Sequence, residues 1–212
     1  MTIRNFSMAL AVIASLIWMI GATSAAELGE GNMTPVPNKV VPLNAVAKKL
    51  VALGKQDQLD RKKAMTPGFD DRKLVEADRR RESAFLKLTS GRLLGLSDVG
   101  ADAVTAQFLI IQHSQNRALQ AKMAQQMQVL AEKGEFPKDD YATFIDRQRV
   151  YDGKPQLYGT QANQAFELYP IEDEAGVDAR RADMNLPPIV QVRAQLQRVK
   201  KAVAAGKGLG EI

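Results

Sequence analysis

Three places in the chain set polar side chains at spacings that could do chemistry. Asp57-Gln58-x-x-Arg61 puts a carboxylate and a guanidinium four residues apart, neighbours on one face of a helix. Alone, that pair reads as a surface ion pair contributing under ~1 kcal/mol. His113 closes a strongly apolar helical run between Gln112 and Ser114. Imidazole titrates near neutral pH, so His113 is the natural general acid or base, and packing against one hydrogen-bond partner is the plain alternative. Asp146-Arg147 follows Phe144-Ile145 on a core-facing helix, where an unpaired charge would be costly.

Further along, Gln156-x-Tyr158-Gly159-Thr160-Gln161 is a compact polar run whose glycine permits a backbone close approach. Arg180-Arg181 could clamp a carboxylate or phosphate with paired N–H donors. Turn chemistry and solvated charge explain both runs equally well. The candidate site residues are therefore His113 and Asp146 for catalysis, and Asp57, Arg61, Arg147, Gln156, Tyr158, Thr160, Gln161, Arg180 and Arg181 for ligand binding.

What the chain lacks narrows the chemistry. Its 212 residues hold 29 Lys+Arg, 24 Asp+Glu, one His, one Trp and no Cys. There is no disulfide framework, no thiol nucleophile and no cysteine-based metal site. One His cannot build a His-rich metal centre, and a carboxylate-only cation site from Asp57, Asp146 and Asp178 is not suggested by spacing. No phosphate loop, HExxH, nucleophile elbow or dinucleotide fingerprint occurs. No metal and no cofactor is implied.

The elements that must position these residues follow from apolar spacing. Val46, Leu50 and Leu53 mark a first helix. Asp70 or Asp71 caps a second after Pro67-Gly68, with Leu74, Ala77, Ala84, Phe85 and Leu88 on its apolar side and Gly91 as its stop. Asp98 to Gly100 is a turn. Ala103, Ala106, Ile110 and His113 share a face of a third, central helix. Leu119, Met123, Met127 and Leu130 give a fourth, and Pro137 with Asp139 opens a fifth carrying Tyr141, Phe144 and Ile145. Residues 156–161 and 166–169 read as the strands of a small hairpin. A short helix follows over 177–184, and Pro187-Pro188 opens the last one, with Ile189, Val192, Leu196 and Val199 on one face. The expected fold is mainly α, a single compact domain of about six to seven helices with one small β-hairpin.

The ends are of another kind. Arg4, an apolar run over Met8–Ile20 and the small residues Gly21 to Ala26 follow the three-part plan of a secretory signal cleaved after Ala26. The run of about 13 to 15 residues is shorter than the ~20 that span a bilayer, and no other segment qualifies. The expectation is a signal peptide over 1–26, a linker over 27–42, a helical domain over 43–205 and a flexible tail over 206–212. Such a chain is periplasmic or secreted, and a cysteine-free one needs no oxidative folding there.

Charge is segregated. Residues 46–93 hold 13 basic and 7 acidic side chains, 94–192 hold 9 and 14, and 193–212 hold 5 and 1. Arg79-Arg80-Arg81 is the one dense basic run, and with Asp78 and Glu82 beside it reads as a solvated, salt-bridged face. A nucleic-acid interface would need a concentrated basic face with stacking aromatics, so no nucleic acid is expected.

Read together, Asp57-Gln58-x-x-Arg61, Val99-Gly100, Gln112-His113, Asp146-Arg147, Gln156-x-Tyr158-Gly159-Thr160-Gln161, Pro170-Ile171-Glu172-Asp173, Val177-Asp178-x-Arg180-Arg181 and Leu186-Pro187-Pro188 form an ordered set. This set resembles the bacterial domain-of-unknown-function family 6624 over about residues 50 to 192. That family places Trp-Pro before the Val-Gly turn, where this chain has Arg92-Leu93-Leu94-Gly95. The resemblance implies that the polar residues act as one set and supplies no reaction.

Three functions fit. The first is a domain that binds a polar or anionic ligand or a protein partner, which needs Arg147 or Arg181 facing a concave site. The second is a hydrolase or lyase with His113 as general acid/base, Asp146 orienting it, and Arg147 or the Tyr158–Gln161 backbone stabilising negative charge. It needs His113 in a solvent-reachable cleft. The third is an envelope scaffold whose basic helices rest on lipid or protein.

Overall fold

A computed structural model describes residues 44–207. The expected signal peptide, the whole of the linker and most of the tail lie outside the described residues. The described chain is mainly helical, with eight helices: α1 (Ala45–Ala64), α2 (Asp71–Thr89), α3 (Leu96–Val99), α4 (Ala101–His113), α5 (Arg117–Glu132), α6 (Lys138–Tyr151), α7 (Val177–Asp183) and α8 (Ile189–Ala204). The described residues group into two compact units, 44–141 and 142–207, whose boundary falls inside α6. The additional helix is α3, a single turn where the sequence suggested only a bend. No described helix is long and apolar enough to cross a membrane.

In the first unit α4 is central. It buries Ala103, Val104, Ala106 and every residue from Gln107 to His113, as expected for a helix apolar nearly all round. α1 runs alongside it in the same direction. Asn44 caps α1 through Ala47 N and also donates to the Asp98 carbonyl at 3.1 Å. Gly54 then sits so close to Ala106 that a Cβ there would stand 2.6 Å from the Ala106 Cβ. This backbone approach lets the short side chain of Asp57 reach α4 one turn later. α2 packs antiparallel to α1, with Asp70 as its N-cap and Ser90 ending it in the left-handed region at φ 54°. At the far end of α4, the Gln120 amide donates to the carbonyls of Ile111 and Ser114, satisfying groups a helix end leaves open.

In the second unit α8 packs Leu196 on Ala162 with Phe166 and Leu168, and Ile189 on Ile171 and Val177. The hairpin does not form. Two isolated bridges stand in its place, Gln156 with Ile171 in parallel sense and Ala162 with Leu168 in antiparallel sense. The reason lies in the Asn163 side chain, which accepts from Ala165 N and Glu167 N and tightens the turn, with Phe166 at φ 60°. The backbone N–H groups of Leu157, Tyr158, Thr160 and Gln161 find their partners in side chains instead of a neighbouring strand.

Candidate functional site

The sequence-selected residues fall in two clusters, one in each unit. The first is built on the stripe Leu50, Gly54, Asp57 and Arg61 of α1. Asp57 is fully buried, not the surface partner its spacing with Arg61 suggested. Its Oδ2 lies 2.9 Å from His113 Nδ1 and takes the Gln58 amide at 2.9 Å, while its Oδ1 takes Arg61 Nη2 at 3.3 Å. Arg61 Nη2 also donates to Asp78 Oδ1 at 2.6 Å. Arg81 donates to Asp78 and Asp60, each at 2.6 Å, and lies 3.4 Å from Asp57. Three carboxylates thus face two guanidiniums and one imidazole.

Burial works against the charged form of Asp57, but His113, Arg61 and Arg81 outweigh it and draw its carboxyl down to about 2. An ionised Asp57 needs a hydrogen on Nδ1. Arg61 Nε, 3.2 Å from the same nitrogen, would need Nδ1 bare. The two contacts make opposite demands on one atom, and the ionised carboxylate decides in favour of the proton. The His113 side chain is 1 % exposed, so it lies in an ion-pair interior and not in a cleft.

Arg81, Asp78 and Asp60 were not selected from sequence. Arg79 and Arg80 are exposed, and Arg80 pairs with Glu76. Arg81 is 5 % exposed, a correction to the solvated face expected of the arginine run. The signal was present: Leu74, Asp78, Arg81 and Phe85 recur at helical spacing on the stripe that faces α1 and α4.

The second cluster surrounds residues 156–161. Asp146, on α6, accepts Leu157 N at 2.7 Å, Tyr158 N at 3.1 Å, Thr160 N at 2.9 Å and the Thr160 hydroxyl at 3.0 Å. Burial pushes its carboxyl upward, and these four donors oppose the shift. The Gln156 side chain accepts Gln161 N at 2.6 Å and donates to the carbonyls of Gln161 and Tyr169. Arg180 donates to the Leu157 carbonyl at 2.9 Å and holds Asp173. Arg181 donates to the carbonyls of Tyr158 and Pro187, both at 2.5 Å. Burial lowers its guanidinium, against Asp178 and Asp146, which hold it up. Gln161 donates to Thr160 Oγ1 and the Thr143 carbonyl. Gly159, at φ 68°, fits because a Cβ would lie 2.7 Å from Ile189 and 2.8 Å from Ile171.

Asp146, Gln156, Thr160, Gln161, Arg180 and Arg181 therefore act together as a clamp on a loop that has no strand partner. Tyr158, with the loop, is buried and contributes its backbone to the clamp. Both Asp146 oxygens are filled by the loop, and Arg181 spends Nε and Nη1 on loop carbonyls. Arg147 stands apart from the clamp. It is 1 % exposed, its Nε lies 3.4 Å from the Tyr151 hydroxyl, and its guanidinium stands 5.8 Å from that ring. It makes no ion pair with any described residue, and its buried Nη1 has no hydrogen-bond partner.

No curated protein matches the chain, and no solved structure does. A family model does match, over residues 88–201, more than half of the chain and including His113 and the whole clamp but not Asp57 or Arg61. On that match, the chain belongs to a family of unknown function (DUF6624).

Proposed function

We propose that the chain binds a small anion, a carboxylate or a phosphate, through Arg147. The observation that carries this reading is the Arg147 guanidinium, buried without a carboxylate and with Nη1 unpartnered. Burying a charge without a counter-charge costs several kcal/mol, and folding alone gives no reason to keep it. Within 142–207 the buried charges are Arg147, Arg181 and Asp146, a surplus of one positive charge. A planar guanidinium fork suits either type of oxyanion. Tyr151, half-buried over the guanidinium, is the side chain such a ligand would displace. The basic, apolar and small-residue pattern of residues 1–26 supports placing this binding in the periplasm or outside the cell.

The acid–base reading draws less support. His113 is enclosed by Asp57 and Arg61, and Asp146, the carboxylate chosen to orient it, is occupied by the loop it clamps.

The test uses inorganic phosphate and acetate as probes, with thermal melts and titration calorimetry on the full chain and on Arg147→Met. The expected result is a ligand-dependent rise in Tm for the wild type that the variant lacks. Equal shifts in both proteins, or none in either at up to tens of millimolar, overturn the reading.

A further inference from the structure

On the surface of the first unit, α1 and α2 leave an open trough of about 460 Å³ between them. Ala52 and Leu53 on α1 and Ala84 and Leu88 on α2 line it, and Lys49 and Lys87 flank it, one from each helix. We propose that this trough docks an acidic amphipathic helix of a protein partner.

Charge complementarity is the first argument. The acidic side chains of α1 and α2 are largely committed inside the unit. Asp57, Asp60 and Asp78 hold Arg61 and Arg81, Glu76 holds Arg80, and Glu82 holds Ser114 and Asn116. The basic surplus of residues 46–93 is therefore left on the outside. Lys49 and Lys87 are exposed and make no ion pair with a described residue. A helix that fits between them carries Asp or Glu along both edges of its apolar stripe.

Shape is the second argument. The two alanines make the trough concave, so a row of side chains from another helix can seat in it, ridge into groove. A lipid surface favours the opposite form, bulky apolar side chains that project. The leucines here lie half-buried in the walls.

The probe is a synthetic helical peptide with Leu at i, i+3, i+4 and i+7 and Glu on both flanks, labelled for fluorescence anisotropy and titrated against the full chain. Controls are the same peptide with Lys in place of Glu, and vesicles of mixed phosphatidylglycerol and phosphatidylcholine. The variants are Lys49→Glu/Lys87→Glu, which changes exposed residues only, and Ala84→Arg, which fills the trough. The proposal expects saturable binding of the Glu peptide, at least about tenfold weaker for either variant and for the Lys peptide, and weakened by salt. A melt of the double variant that matches wild type shows that the loss belongs to the surface. No saturable binding, binding indifferent to both variants, or binding to vesicles that the Glu peptide does not displace overturns it.

Discussion

Asp57 and His113 meet through Oδ2 and Nδ1 at 2.9 Å across 56 positions of sequence, and both side chains are shut away from solvent. Because the partners of Asp57 favour its charged form, their contact is a stability device with a pH signature. The carboxyl lies at about 2 in the folded chain against an ordinary 3.8. A lowered acid contributes its stability above the ordinary value and loses it as pH falls toward the folded one. Wild type is therefore expected to lose about 2 kcal/mol from this group between pH 4 and 2. Urea melts across that window check it. Asp57→Asn, measured the same way, should show a flatter acid limb by about one proton. An identical limb in both proteins refutes the assignment.

His113→Ala removes one of the groups that hold Asp57 ionised and leaves the Arg61 and Arg81 contacts in place. A loss of about 1–3 kcal/mol is expected, seen as a fall of several degrees in Tm. A double-mutant cycle with Asp57→Ala separates the pair from the rest of the network. A coupling below about 0.5 kcal/mol would show that His113 is held by its packing alone.

Gly54→Ala tests the close approach that brings α1 to α4. The added methyl meets the Ala106 Cβ at 2.6 Å and its Cα at 3.0 Å, and backbone has little room to yield. The expected cost is about 1–3 kcal/mol, measured by thermal melts. Restoring space with Ala106→Gly in the same chain should recover part of it, since the clash is mutual.

Gly54 also shows where reading the sequence stops. Helix periodicity gave every described helix but α3, and the central place of α4, because apolar spacing is a local signal. It did not give Gly54, whose role depends on what crosses it. Asp57 and Arg81 sit on apolar stripes, so their burial was legible from spacing. Residue type argued the other way and prevailed, although several partners can offset the cost of burying a charge. The hairpin failed for a related reason. Residues 156–169 have the composition of paired strands, but side chains from α6 and α7 and the Asn163 turn satisfy their backbone first. That competition is decided by residues remote in sequence, which no local pattern reports.

Asp146→Asn tests the clamp. An amide must turn its NH₂ either toward Leu157 N and Tyr158 N or toward Thr160 N, donor against donor in either case. The expected loss is about 2–3 kcal/mol, with faster proteolysis inside 156–161. An unchanged melt would mean that the loop keeps its shape without the carboxylate.

Arg147 and Arg181 are both buried, and the same substitution should act on them in opposite ways. Arg181→Met strips donors from the carbonyls of Tyr158 and Pro187 and leaves those oxygens buried, so a loss of about 2–4 kcal/mol is expected. Arg147→Met strips only a long contact to Tyr151 and removes an uncompensated charge. An apolar side chain of similar length in that place should leave the melt unchanged or raise it. Thermal melts of the two variants without added anion decide the matter. If Arg147→Met falls as far as Arg181→Met, the guanidinium holds up the fold and Arg147 loses its standing as a ligand site. If only Arg181→Met falls, Arg147 is a charge the fold tolerates without needing it, as expected of a residue that awaits an anion.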